Sequence, residues 1–512
     1  MKFQYLIPLA IFFLISVILN NVSPATADVD SFYHLRHAWF YRTEGLLDSS
    51  FPWATQSIVK DIGADLWYGF HILITPLTFF EDLVNGIRFG SVLTTFAALS
   101  IFYFALRRLK VRWPAFWTFL FLFSTADIMY RVIMFRPHPI TAALSMLFFA
   151  YLMDRPISRA ACLKISLIGF LIAWMHLSLA WIPLLILASV TLLDLFKKNL
   201  EWRAGLAFLT GGALGWLARP NPFGVLKLAY IQIIQLMTEK SGNIPLVFGR
   251  ELTPYVLENF TNQLLPFFIF LTAAIALLIW KKEKLSSAGY VSLLLSIIFI
   301  FLAFASARRA VDFFIPLGVI FLALTFTKLF PPEKYKRFSF QSSESILVLI
   351  ALIALLGFMT FKTIQRFNAY MVFAFGPYQF QKTALETKGL IPANSIVFNP
   401  HWDQFAQLFF WNPQLRFING MDPIFQYAKN PRSYWLTHYI SKDLAGARDC
   451  GLIRCTPATD ESTYEALKKD FSADYIFLTH RRNPKFIEYL KSEPWHYRPI
   501  YNNDKETVFK VL

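Results

Sequence analysis

The chain has 512 residues, of which 56% are hydrophobic, 18% aromatic and only 16% charged. A water-soluble fold carries about 25% charged residues, so a wholly soluble protein is excluded. The net charge of +16 does not argue for a nucleic-acid partner, because most Lys and Arg sit beside apolar runs, where membrane topology accounts for them.

In chain order, apolar runs of membrane-helix character lie at 5–22, 89–106, 113–126, 140–153, 165–174, 181–195, 204–217, 264–280, 289–304, 313–326 and 346–361. They predict a polytopic α-helical membrane protein of about eleven spans. The links RRLKVR (107–112), DRPISR (154–159), KKNLEWR (197–203), KKEK (281–284) and KLFPPEKYKR (328–337) then fall on one side, which the positive-inside tendency makes the cytoplasm. This parity needs the stretch 67–80, which contains Pro76 and is followed by Glu81 and Asp82, to be a juxtamembrane or re-entrant helix rather than a crossing.

The expected layout is a membrane domain over 1–361, with external loops 24–87, 127–139 and 219–263, and an external α/β domain over 362–512. The N-terminus is cytoplasmic in this reading. The C-terminal domain is periplasmic or extracellular, and the chain is a multi-pass protein of the cytoplasmic (inner) membrane. Ala25-Thr26-Ala27 leaves open an alternative, a cleaved signal peptide.

The polar residues of interest gather on the exported side. Directly after the first run the chain reads DVDSFYHLRHAWFYRTEG, which sets Asp28, Asp30, His34, Arg36 and His37 at the membrane boundary. Two carboxylates one residue apart suit a hard divalent cation, Mg²⁺ or Mn²⁺, or a carboxylate base; an ordinary solvated loop is the other reading. In FRPHPI, Arg136 and His138 alternate with prolines that stiffen the loop, presenting a cation and a titratable group towards a phosphate.

The loop 219–263 carries Arg219, Glu251 and the glycines Gly224, Gly242 and Gly249, a composition that suits a gating loop. In SARRAVDFFIP, Arg308 and Arg309 run against the positive-inside tendency, so they call for an anionic lipid phosphate, or else for a structural pair with Asp312. His71 and His176, each among apolar residues, are second-tier candidates that packing alone also explains.

The segment around Asp30-Ser31-Phe32-Tyr33-His34 resembles the first external loop of oligosaccharyltransferase catalytic subunits, the archaeal ones especially, within the GT-C class of membrane glycosyltransferases. The resemblance implies a sugar donor carried on a polyprenyl phosphate or diphosphate. It implies that Asp30 is the catalytic carboxylate with Asp28 as accessory, and that Glu251 reaches the site from a long external loop. It also implies an Arg at a helix end against the donor phosphate. Oligosaccharyltransferases carry a second acidic motif after the third span; this chain has FRPHPI there.

Beyond residue 362 the pattern reads as α/β: SIVFN, RFIN and ADYIFLTH as strands, QFAQLFFW, YEALKKDF and PKFIEYLKSEP as helices, and 495–512 as a hairpin turning on Asn502, Asn503 and Asp504. Within NPHWDQFAQLFFW, Trp402 and Asp403 match the acceptor-binding motif of oligosaccharyltransferases in part, while an N-cap role for Asp403 is the alternative. Cys450 and Cys455 would pair if this domain is exported.

Together these features predict transfer of a sugar from a polyprenyl-linked donor to a glycan, lipid or protein acceptor on the exported face. A transporter or flippase of lipid-linked saccharides is the rival class, although ionisable residues in mid-span, which transport would need, are nearly lacking.

Overall fold

The computed structural model describes all residues except 1–4, 199, 242–245, 247–248, 331–342 and 442–462. Cys450 and Cys455 lie outside the described residues. The chain forms two compact units: Met1–Asp28, Val84–Ala218 and Gly249–Phe375 make the first, and Val29–Leu83, Arg219–Phe248 and Gly376–Leu512 the second.

Every apolar run of the sequence falls on a helix, from Leu6–Asn21 and Leu83–Arg108 through Ser287–Ala305, Val311–Leu329 and Ser343–Val372. Fewer of these helices are long and apolar enough to cross a membrane. Among the described residues they are Leu83–Arg108, Leu177–Phe196, Leu257–Trp280, Ser287–Ala305 and Arg308–Leu329, or six if Ala126–Val132 and Pro137–Met153, bent by 105°, form one broken span.

Length and composition among the described residues thus support five or six of the expected crossings, and the other apolar runs lie on shorter helices or on Ser343–Val372, which is described only in part. Leu6–Asn21 has 16 residues, Pro114–Phe123 has 10, and Trp202–Leu217 has 16, where an untilted crossing needs about 20. The stretch 67–80 forms only a seven-residue helix, Tyr68–Ile74, and a short 3₁₀ turn, Thr75–Phe79, too short to cross.

Within the first unit, Arg308–Leu329 is the innermost long helix, with 78% of its apolar window buried, whereas Leu177–Phe196 and Leu257–Trp280 bury 33% and leave the rest for lipid. Helices Arg159–Met175 and Trp202–Leu217 cross at backbone contact. A Cβ on Gly211 would stand 1.9 Å from the Ser166 carbonyl oxygen and one on Gly215 2.2 Å from that of Phe170, so the G-x-x-x-G spacing is what permits the crossing.

The described residues of the five basic links meet at one end of this unit. Arg108 and Lys110 pair with Asp154 at 2.8 and 3.1 Å, Arg155 with Asp194 at 2.5 Å, and Lys328 with Glu283 at 3.4 Å. Lys197 donates to Ser287 Oγ at 2.5 Å and Arg112 to the Phe330 carbonyl at 3.0 Å.

The second unit is built on a five-stranded sheet of order β2-β1-β3-β5-β4, with β1 Ile396–Phe398, β2 Arg416–Phe417, β3 Tyr475–Thr479, β4 Tyr497–Asn502 and β5 Glu506–Val511. β1 runs parallel to β2 and β3, and β5 runs antiparallel to β3 and β4. These strands and the hairpin between β4 and β5 lie where the alternation of the sequence sets them.

Not legible in the sequence is the contribution of residues 53–56. Phe417 N–H donates to the Trp53 carbonyl at 2.7 Å, and Thr55 N–H to that of Phe417 at 2.7 Å, which adds an edge to the sheet beside β2. Helix Asp30–Glu44 packs on helix Phe405–Trp411, with Phe32 edge-on to Phe410 at 5.1 Å. Buried Phe398, Ile418, Leu467, Ile476, Leu490 and Phe509 form the core under the sheet.

Candidate active site

The first unit gathers a dense set of paired charges at the ends of several helices. Asp28 is held there by its own segment, since Thr26 exchanges backbone hydrogen bonds with Phe375 at 2.8 and 3.1 Å and Tyr130 donates to the Ala27 carbonyl. Arg136, at the N-cap of helix Pro137–Met153, takes both oxygens of Asp28 in a fork geometry.

Helix Ala126–Val132 gives way to Pro137–Met153 through a bend of 105°, and Arg136 is extended as the residue before a proline prefers, with Pro137 opening the second helix. The bend aims Arg131 and Arg136 into the same cluster. Arg131 pairs with Glu251 at 2.9 Å and approaches Asp312 at 3.8 Å. Asp312, 7% exposed in the first turn of Val311–Leu329, accepts a hydrogen bond from His138 Nε2 at 2.9 Å. Arg309 Nη2 donates to His138 Nδ1 at 3.1 Å, which assigns the neutral tautomer with its proton on Nε2.

Burial works against charge on Glu251, but the Arg131 and Arg309 guanidiniums outweigh it and hold the carboxyl well below the usual carboxylate range.

The two adjacent arginines do different things. Arg308 is committed to Asp127 through three contacts of 2.7 to 3.0 Å and stacks over the Tyr255 ring at 5.1 Å, while Tyr370 also donates to Asp127 at 3.0 Å. Arg309 is held more loosely, 3.5 Å from Glu251, and its buried Nε has no acceptor among the described residues. A buried guanidinium N–H without an acceptor is a place for an oxygen of an anionic group, although the charges of the cluster itself balance. The pairing of these arginines with Asp312, the structural alternative in the sequence, is not what the geometry gives: Arg308 goes to Asp127 and Arg309 to His138 and Glu251.

His176 is buried behind the cluster, its ring 6.3 Å from that of His138 and its Nδ1 3.5 Å from Thr141 Oγ1. Of the candidates read from sequence, Asp28, Arg136, His138, Glu251, Arg308 and Arg309 therefore meet in one cluster. Arg131 and Asp127 are the members that sequence reading passed over as site residues. Arg131 carried the same signal as Arg308, a basic residue in a link assigned to the exported side.

The remaining candidates belong to the second unit. Asp30 opens helix Asp30–Glu44, two residues beyond Asp28 in the chain, and is half-buried. His34, one turn further, bonds His71 Nε2 through Nδ1 at 2.8 Å, and His71 Nδ1 bonds Asp65 at 2.6 Å. Arg219 donates to the Asp65 backbone carbonyl at 3.3 Å, and burial pushes its guanidinium down to about 10. Arg36 reaches the Phe410 carbonyl at 2.5 Å between the Trp39 and Phe410 rings, a packing role, and burial likewise lowers it to about 10.

Asp403 pairs with Arg482 at 2.9 Å rather than capping a helix, and Trp402 lines a cavity of about 310 Å³ with His401, Gln426, Tyr434 and His438. Gly224 lies inside helix Pro222–Tyr230, so this part of the expected gating loop is helical, and Gly242 lies outside the described residues.

No family model and no curated protein matches the sequence. Among solved structures the chain is similar to ArnT from Cupriavidus metallidurans bound to undecaprenyl phosphate, with a TM-score of 0.55 and 10% identity over 99% of this chain and 97% of that one. The apo state of the same protein aligns with a TM-score of 0.54 and 11% identity over 99% and 98% of the two chains. At this identity the likeness is one of fold, and it extends over nearly the whole length of both chains.

Proposed function

We propose that this protein is a GT-C membrane glycosyltransferase that moves a sugar from a polyprenyl-phosphate-linked donor to an acceptor on the exported face. The observation that carries this reading is the Arg131, Arg136 and Arg309 cluster around His138, in a fold shared with a protein whose solved structure holds undecaprenyl phosphate. In such a reaction the acceptor hydroxyl or amide attacks the anomeric carbon, the bond from that carbon to the phosphate oxygen breaks, and the polyprenyl phosphate departs with the negative charge. Asp30 takes the acceptor's proton. Arg309, with its uncommitted Nε, and Arg136 stabilise the departing phosphate through charge-assisted hydrogen bonds.

Because Arg136 already sits on both oxygens of Asp28, guanidinium charge does the work first assigned to Mg²⁺ or Mn²⁺, and transfer does not depend on adding either ion. In this reading the basic end of the membrane unit faces the cytoplasm and the α/β domain lies outside.

Binding of undecaprenyl phosphate to the detergent-solubilised full chain tests the donor site. Wild-type protein should bind it, and Arg309→Ala should weaken it by about 10- to 100-fold, the loss expected for a charged hydrogen-bond partner. Equal binding by both proteins would remove Arg309 from the site.

A further inference from the structure

The second unit contains a group of ligand-type side chains that transfer chemistry does not use. His37 from helix Asp30–Glu44, Asp65 from the turn that follows helix Ile58–Ile62, and His71 from helix Tyr68–Ile74 offer ligand atoms that all lie within 4.8 Å of one another. The three residues are 2%, 4% and 0% exposed, in a chamber walled by Phe51, Tyr41 and Tyr33. The carboxylate of Asp65 accepts from His71 Nδ1 at 2.6 Å, from Tyr41 at 3.0 Å and from the Trp67 N–H at 2.8 Å. None of these donors is a permanent cation. A buried carboxylate needs compensating positive charge; the Arg219 guanidinium reaches the backbone carbonyl of Asp65, so at the carboxylate itself the charge is an imidazolium at His71 or a bound metal ion.

We propose that His37, Asp65 and His71 form a site for a borderline divalent transition metal of the zinc class, which ties the two helices together. Two imidazoles and one carboxylate are a donor set for Zn²⁺ and not for Mg²⁺ or Ca²⁺, which take oxygen. With metal–ligand bonds of about 2.0 to 2.2 Å, ligand atoms around a tetrahedral ion stand about 3.4 Å apart, so small side-chain rotations bring these three into range.

Each ligand also has the outer partner that orients metal-bound groups. Tyr33 Oη holds His37 Nδ1 at 2.9 Å and leaves Nε2 to coordinate, His34 Nδ1 holds His71 Nε2 at 2.8 Å and leaves Nδ1, and the Trp67 N–H fixes Asp65 Oδ1. The ion takes the position of the proton now shared by His71 and Asp65. The fourth position is open to a water.

The test is elemental analysis of the full chain purified in detergent from zinc-replete cells without chelator or affinity metal. The expected result is about one zinc per chain, falling below a tenth in Asp65→Asn and His37→Gln, with Tyr33→Phe keeping the ion but binding it about 10-fold more weakly. If the substitutions prevent folding, wild-type protein stripped with dipicolinate and refilled with Co²⁺ answers instead. It should show the visible d–d bands of a four-coordinate site and regain the melting temperature lost on stripping. Monodisperse wild-type protein that carries no metal and gains no thermal stability from added Zn²⁺ would overturn the proposal in favour of an imidazolium. So would zinc retained at full stoichiometry by folded Asp65→Asn and His37→Gln together.

Discussion

At the scale of single residues, the adjacent arginines separate stability from binding. Arg308 is enclosed by Asp127 and Tyr255, so Arg308→Ala leaves a half-buried carboxylate without its cation and should lower the melting temperature of the solubilised protein by several degrees. Arg309→Ala should lower the melting temperature less than Arg308→Ala, because Arg131 still pairs with Glu251, and should raise KM for the polyprenyl-linked donor; Arg309→Lys should not restore the KM, since an ammonium lacks the fork.

Glu251 adds a pH dependence. Its folded carboxyl titrates below the unfolded value, so the stability it contributes is fully present above about pH 4.3 and is lost as pH falls below that value. Glu251→Gln should therefore melt lower than wild type at pH 7, and calorimetry should show the gap narrowing on acidification below pH ~4. The sequence pointed to these residues through one signal, basic side chains in links that the positive-inside expectation leaves off the basic side. It hid their partners, because nothing in the spacing of Asp127, Asp312 and Arg131 says which guanidinium each carboxylate meets.

At the scale of elements, helix positions were legible and helix lengths less so. Apolar composition marks where a helix runs, but the ends depend on caps and bends, such as the Thr125 cap and the Pro137 break on either side of Ala126–Val132. The strands of the second unit were legible because their alternation is regular. The edge formed by residues 53–56 was not, since three or four residues pairing across 360 positions of sequence leave no local pattern.

The crossing of Arg159–Met175 with Trp202–Leu217 depends on backbone contact at Gly211 and Gly215. Gly211→Leu has no room for its side chain and should reduce the yield of folded, monodisperse protein several-fold, read by size-exclusion fluorescence. Gly212→Ala, whose added Cβ would meet its nearest neighbour at 4.0 Å, should be tolerated in the same measurement.

For the whole molecule, the organising feature is an asymmetry of charge. At one end of the membrane unit the basic links are knitted to Asp154, Asp194 and Glu283; elsewhere in that unit Arg131, Arg136, Arg308 and Arg309 are neutralised by Asp28, Asp127, Glu251 and Asp312 around His138. Composition alone marks a membrane protein, and the placement of its charges divides the membrane unit into a basic end and a separate cluster of paired charges.

The most direct measurement of the proposed activity is transfer of a radiolabelled sugar from polyprenyl-phosphate donor in membranes containing wild-type protein or Asp30→Asn at equal expression. Wild type should discharge the donor without added Mg²⁺ or Mn²⁺, and Asp30→Asn should be slower by about 100-fold or more, the contribution of a positioned general base. Undiminished transfer by Asp30→Asn, or a donor left intact by wild-type membranes supplied with acceptor, would contradict the assignment.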